Sequence, residues 1–307
     1  MEKKYKLTEE TINVDGRTLY RIEALKDFDV VEKGDKGGFI ENESNLSQSG
    51  DCWVYGNAKV SDNAMVCGNA WVFGNAEVSG RAEISGDAKV YDYAEVYDNA
   101  EVYDNAEVHD NAEVFDNAEV SGNAQVFGNA EVYGNAWVFG NADVYGNARI
   151  YGNAKVCDNA EVYGNAEVYD YAQVYDNAQV YHNAVVYGNA EVYDYAKVCD
   201  YAKVNEDAQV YDNANVYEDA EVFGNAEIRG DAVITSKSDY IVFKNWWSSG
   251  RYFTWTRSNN MWKVGCFYGT GEELIDKAYK DSKLSGREYE RVVKYIESIL
   301  KDNNTDV

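Results

Sequence analysis

From Val54 to Ile234 every sixth residue is Val or Ile, without a miss. Ala stands two residues before each of them from Ala58 to Ala232, and most of the chain between follows G/D-N-A-x-V-x. In each hexad a segment such as Glu95-Val96-Tyr97 alternates outward, inward, outward, the period of a short strand. The G-N or D-N that follows is a turn signal, because Gly, Asn and Asp tolerate the positive φ of a tight corner. The next Ala is small enough to point into that corner. Three hexads make one triangular coil of about 18 residues, and coils stack at about 4.8 Å. The repeat therefore predicts about ten coils and a rod of roughly 48 Å, filled with Val, Ile and Ala. Such an interior leaves no room for a channel or a ligand.

Charge separates the rod from its ends. The chain of 307 residues has a formal net charge of −26. Between 51 and 235 stand 33 Asp or Glu against 8 Lys or Arg, whereas the flanks are nearly balanced. An acidic body repels nucleic acid backbones and attracts basic surfaces. No direct nucleic acid partner is expected. No apolar run approaches membrane-spanning length, and the N-terminal segment lacks the apolar stretch of a signal peptide. The five Cys fit no metal spacing and read as free thiols in a reducing cytosol. A cytoplasmic setting is the expectation.

The organisation reads as three parts: an N-terminal cap over 1–50, the solenoid over 51–235, and a small α+β domain over 236–307. The cap is expected to hold a hairpin around Asp15-Gly16, then a first irregular coil with Leu46 and Cys52 in the Ala phase. The C-terminal part reads as three antiparallel strands, at Asp239–Phe243, Tyr252–Arg257 and Met261–Tyr268. A helix capped by Thr270 and Glu273 follows. A second helix over about Ser285–Leu300 carries Tyr289, Val292, Val293, Tyr295, Ile296 and Ile299 on one apolar side.

Eighteen-residue stacking sorts the decoration onto three faces. Outward columns on the Val60 face are Glu77, Glu95, Glu113 and Glu131, beside Tyr97, Phe115, Tyr133, Tyr151, Tyr169 and Tyr187. The Val54 face carries Trp53, Trp71, Lys89 and Glu107 outward, beside Tyr55, Phe73, Tyr91, His109, Phe127 and Tyr145. The third face has Glu83, Glu101 and Glu119, with its aromatics interrupted by Ser85, Ser121 and Cys157. Stacked like charges oppose each other. The acidic partner-binding candidates are Glu77, Glu95, Glu101, Glu107, Glu113, Glu119 and Glu131. The oligomer contact candidates are Tyr97, Phe115, Tyr133, Tyr151, Tyr169 and Tyr187, since dense surface aromatics fit self-association. Trp247, Arg251, Trp255 and Arg257 belong to the one basic and aromatic patch, which reads first as a small domain core with a contact to the last coil and second as a candidate for holding a nucleotide by stacking and charge.

The pattern of Val or Ile at i, Gly or Asp at i+2 and Ala at i+4 resembles the left-handed parallel β-helix family with hexapeptide repeats. That resemblance implies the handedness, which periodicity alone does not. The terminal segments, K-Y-K-L-T, G-R-T-L-Y-R-I-E-A-L, G-G-F-I-E-N-E-S-N-L-S and G-C-F-Y-G-T, resemble predicted phage and prophage proteins of unassigned function. Acyltransferases of the β-helix family use a catalytic His at a subunit cleft with a protruding loop. This chain has only His109 and His182, both on regular repeat positions, and no loop interrupts its coils. An anhydrase-type metal site needs three His. No catalytic residue, metal or cofactor is therefore expected, and His109 reads as a replacement for Tyr. The Asp-rich turns lack the pattern of calcium-binding repeats.

The leading expectation is a non-enzymatic phage-encoded interaction protein. Its acidic rod would block a host protein with a basic surface, as a nucleic-acid mimic in counter-defence. The alternatives are an assembly module forming homo-oligomers through aromatic ladders, or a sponge for a small nucleotide.

Overall fold

The computed structural model describes residues 3–247 and 250–303, with side chains through 300. Between Trp53 and Ile234 the chain makes only two-residue strands separated by turns. They stack in three parallel sheets, each pairing residue i with i+18, as in Glu95↔Glu113 and Val96↔Val114. Two columns contain eleven and ten strands, and the third has ten solenoid strands extended by three from the N-terminus. The hexad beat is thus a three-sheet parallel solenoid of about eleven turns, close to the expected length. The inward Val and Ile are fully buried, and so are the Ala that fill the corners.

Each corner depends on one residue with positive φ. Gly128 has φ 74° and Asp92 has φ 59°. Asp reaches this region at modest cost because its short side chain bonds locally. The Asp110 Oδ2 accepts the Gly128 N–H of the next coil at 3.1 Å. The Asn that follows forms a further ladder along each corner edge. Asn105 donates to Asn123 at 2.9 Å, and Asn123 donates to Asn141 at 2.9 Å. Such rungs add to parallel stacks, as they do in cross-β packing.

Hydrogen-bond polarity dictates the caps. At the strand flanks and corners each coil donates N–H to the C=O of the following coil, as in Tyr55 N to Val72 O at 2.8 Å. The first coil is left with carbonyls to satisfy, and the last with N–H groups. The N-terminal end supplies donors. Strand β1 (Tyr5–Val14) and strand β2 (Arg17–Ala24) form the expected hairpin, with Asp15 at φ 49° and Gly16 at φ 83°. Lys4, just before β1, is buried and its Nζ donates to Cys52 O at 2.8 Å and Gly50 O at 3.2 Å. The Tyr5 hydroxyl donates to Leu46 O at 2.8 Å. Strand β3 (Lys36–Ile40) pairs antiparallel with β2 and parallel with Lys59-Val60, which joins hairpin to solenoid.

Two expectations for the first coil need correction. Leu46 bridges Val66, so it occupies a Val position rather than an Ala one. Ile40 pairs Val60 at the same offset of two residues beyond a full coil, so the irregular first coil carries two extra residues that shift the phase. Trp53 does not face solvent, because the cap covers it with Tyr5 and Phe28 packed edge-on.

The C-terminal end supplies acceptors. Thr254 Oγ1 takes the Glu227 N–H at 3.0 Å, and Ser258 Oγ takes the Val233 N–H at 2.7 Å. The Tyr240 hydroxyl accepts from Phe223 N at 3.2 Å and donates to Glu221 O at 3.1 Å. These groups belong to a small α+β domain with a four-stranded antiparallel sheet, not the three strands expected. The third expected strand folds back at Gly265, φ 56°, and becomes Met261–Val264 paired with Phe267–Gly269. Helix α1 (Gly271–Asp281) begins with the expected capping box, in which Thr270 Oγ1 accepts Glu273 N–H at 3.3 Å. Helix α2 (Lys283–Asn303) buries Val293 and Ile296 against Phe253, Trp255, Trp262 and Leu274. Tyr295, expected on the apolar side, is 64% exposed.

Candidate interaction surface

The outward residues build the surface in stacked columns. Rings repeat with the strands, so neighbours overlap face to face. On the Val54 face the stack runs unbroken from Phe73 through Tyr91, His109, Phe127, Tyr145 and Tyr163 to Tyr181, with centroids 4.6 to 5.0 Å apart. On the Val60 face it runs from Tyr97 through Phe115, Tyr133, Tyr151 and Tyr169 to Tyr187 at 4.8 to 5.1 Å. The third face keeps only Tyr175, Tyr193 and Tyr211 in a stack. Stacking hides the ring faces and leaves their edges half-exposed. Burial, with Glu107 beside it, pushes the Tyr91 phenol up to about 12. Tyr145 is pushed up to about 12 by burial and Glu161.

The carboxylates do not form one belt. Glu95 and Glu113 lie on the Val60 face, Glu101 and Glu119 on the third face, and Glu107 on the Val54 face. Glu77, Glu95, Glu113 and Glu131 share one column, ending at Arg149. Glu77 pairs with Lys59, and Glu107 with Lys89 at 2.7 Å.

Tyrosines also engage them. The Tyr97 hydroxyl donates to Glu113, 16 residues on, at 2.9 Å, and Tyr103 donates to Glu119 at 3.1 Å. Tyr91 does the same for Glu107 at 3.1 Å. The residues 16 before Glu95 and Glu101 are Ser79 and Ser85, too short to reach. Glu95 and Glu101 are exposed, and among the described residues no side chain donates to either. Partial burial, then Glu113 and Glu77, raises Glu95 above the usual carboxylate range. Glu101 is raised by burial, then by Glu119 and Glu83. Glu107 is lowered: burial opposes this, but the Lys89 and Tyr91 hydrogen bonds prevail.

The C-terminal patch does not converge. Trp255 is 2% exposed, a core residue whose Nε1 donates to Asn260 at 3.0 Å. This agrees with the core reading of that cluster rather than with a ligand contact at Trp255: its strand turns that face onto the helices. Trp247 packs against the same core, while Arg251 and Arg257 are exposed. His182 sits at an exposed corner with Nδ1 2.8 Å from Asp200. All five cysteines are free, with Cys52 and Cys199 buried. No described helix is long and apolar enough to cross a membrane.

A grouping missed by sequence reasoning is Asp92, His109 and Asp110, whose ligand atoms lie within 4.8 Å of one another. Eighteen-residue alignment of the corner residues would have found it. The Asn ladders were legible in the same way.

Among known families, the model described as the YdcK beta solenoid repeat matches residues 172–188, about one coil's worth of the chain. No curated protein matches it.

Proposed function

We propose that this chain is a non-enzymatic assembly module, a rod that pairs side by side with a second copy through the aromatic ladder of its Val54 face. The stack from Phe73 to Tyr181 carries this reading. Its rings are already held by their neighbours, so association orders few additional side chains. Two identical rods share one axial repeat, so seating one ring edge brings the others into register. Beside this ladder the outer column mixes Lys89, Glu107, Gln125, Asp143, Glu161 and Gln179. The Val60 face sets Glu77, Glu95, Glu113 and Glu131 beside Tyr97–Tyr187, which opposes pairing of two acidic rods. An apolar depression lined by Val30, Tyr55, Trp71 and Phe73 continues the Val54 ladder toward the cap. Val30 is 64% exposed there. The left-handed winding implied by the hexapeptide resemblance belongs to this proposal.

The test compares faces. Analytical ultracentrifugation of Phe127→Ser with Tyr145→Ser should show dissociation, and Tyr133→Ser with Tyr151→Ser should not. The reverse outcome transfers the contact to the Val60 face. No change in either pair removes the ladders as the cause of assembly.

A second reading rests on Glu95 and Glu101, exposed on an acidic rod and without side-chain donors among the described residues. In it the rod binds a basic host protein as a nucleic-acid mimic, within a bacterial cytoplasm and in the phage setting that the terminal motifs resemble. Duplex DNA carries about one charge per 1.7 Å, and the rod's excess of carboxylates approaches that density. Salt-sensitive capture of a basic protein, weakened by Glu95→Gln and Glu101→Gln, supports it. Nucleotide capture has less support, because Trp255 is buried away from Arg251 and Arg257.

A further inference from the structure

His109 takes a Tyr position in the Val54 ladder and is stacked between Tyr91 at 4.7 Å and Phe127 at 5.0 Å. The stack fixes the plane of its ring, and its side chain is 17% exposed. Its Nδ1 lies 3.7 Å from Asp110 Oδ1. The corner column beside it reads Gly56, Gly74, Asp92, Asp110, Gly128, Gly146 and Gly164. Over these seven coils the corner is a carboxylate only in the coil of His109 and the coil before it.

We propose that Asp92, His109 and Asp110 form a site for a divalent first-row transition ion, clamping two consecutive coils at this corner. The three donor atoms lie within 4.8 Å of one another. Ligand distances of about 2.0–2.2 Å at tetrahedral angles place donors about 3.3–3.6 Å apart, so the widest pair closes by at most about 1.5 Å, within reach of a side-chain rotation. Asp92 is exposed and free to turn. Asp110 is oriented by the Gly128 N–H on its Oδ2, 3.1 Å away, which leaves Oδ1 for His109 and the ion. Glu107, next along the strand, is held by Lys89 and Tyr91 and adds negative field rather than a ligand. One imidazole and two carboxylates suit Zn²⁺, Co²⁺ or Ni²⁺. Ca²⁺ takes oxygen ligands and fits poorly. Water completes the coordination. His182 is an internal contrast, because it faces a single carboxylate, Asp200. His109 lies within the proposed contact ladder, but the site is built from one chain and does not rest on the assembly reading.

The experiment titrates Zn²⁺ into the chelator-treated full chain by calorimetry, with Co²⁺ absorption as a second readout. Wild type and His182→Gln should bind one ion per chain with the same affinity. His109→Phe supplies a ring the column already uses, and should lose binding at least tenfold with an unchanged circular dichroism spectrum. Asp92→Asn, which keeps a residue suited to positive φ, should do the same. Equal binding in His109→Phe and wild type overturns the proposal, because the ion is then held diffusely by the acidic surface. Absence of binding to wild type at millimolar Zn²⁺ also overturns it.

Discussion

The Tyr97 hydroxyl reaches forward to the next coil and donates to Glu113 across 2.9 Å. Ring and carboxylate thus form one unit: the ring stacks on Phe115, and its phenol satisfies an acid that would otherwise face only Glu95 and Glu131. Tyr97→Phe keeps the stack and removes the bond. It should cost about 1 kcal/mol or less, since the pair is partly solvated. Tyr97→Ser loses the ring as well and should cost clearly more. Thermal denaturation of the two variants checks the order, and equal losses would mean that the stack contributes nothing.

Glu95 has neighbouring acids above and below and, among the described residues, no side-chain donor, and its carboxyl is raised by burial first and those charges second. The folded chain therefore holds this proton to higher pH than the unfolded chain does. Its contribution is present at low pH and is lost as pH rises through the raised folded value. Glu95→Gln should be more stable than wild type at neutral pH and should flatten that part of the stability profile. Denaturant midpoints measured across mildly acidic to neutral pH test this. A variant less stable than wild type at pH 7 would mean that the charge is stabilising.

Lys4 closes the donor-poor end of the rod through the carbonyls of Cys52 and Gly50. Lys4→Met should leave both without that donor, at a cost of about 1–3 kcal/mol. In a solenoid each coil contacts only its neighbours, so the loss should stay local. Hydrogen exchange should accelerate in the cap and first coils and remain unchanged near Val162. Uniform acceleration along the rod would show long-range cooperativity instead.

Asn123 is a middle rung, accepting from Asn105 and donating to Asn141. Asn123→Ala should cost about 1 kcal/mol, as both bonds are exposed. A neutral substitution would reduce the Asn column to a turn preference without ladder energy.

These effects show what was legible in the sequence. The Val and Ala beat fixed the solenoid because strand register is set by which residues must be buried. Hairpin and helix cap were readable at Asp15-Gly16 and Thr270-Glu273, where local chemistry decides. The break at Gly265 was hidden because Met261–Tyr268 alternates well enough for one strand. Leu46 takes a Val position because the irregular first coil holds two extra residues, which the six-residue beat alone does not reveal. The roles of Lys4, Thr254 and Ser258 follow from bond polarity along the stack, which composition does not reveal. On the rod surface the columns were readable. Their consequences, such as Ser79 leaving Glu95 without a phenol, required the geometry of side chains 16 residues apart.

Light scattering at rising concentration measures directly whether the rod pairs in solution. A rod that pairs has a mass above the 34.5 kDa of one chain, approaching twice that value. Phe127→Ser with Tyr145→Ser should return it to one chain with its β signal intact. A wild-type protein that remains a single chain at every concentration would contradict pairing.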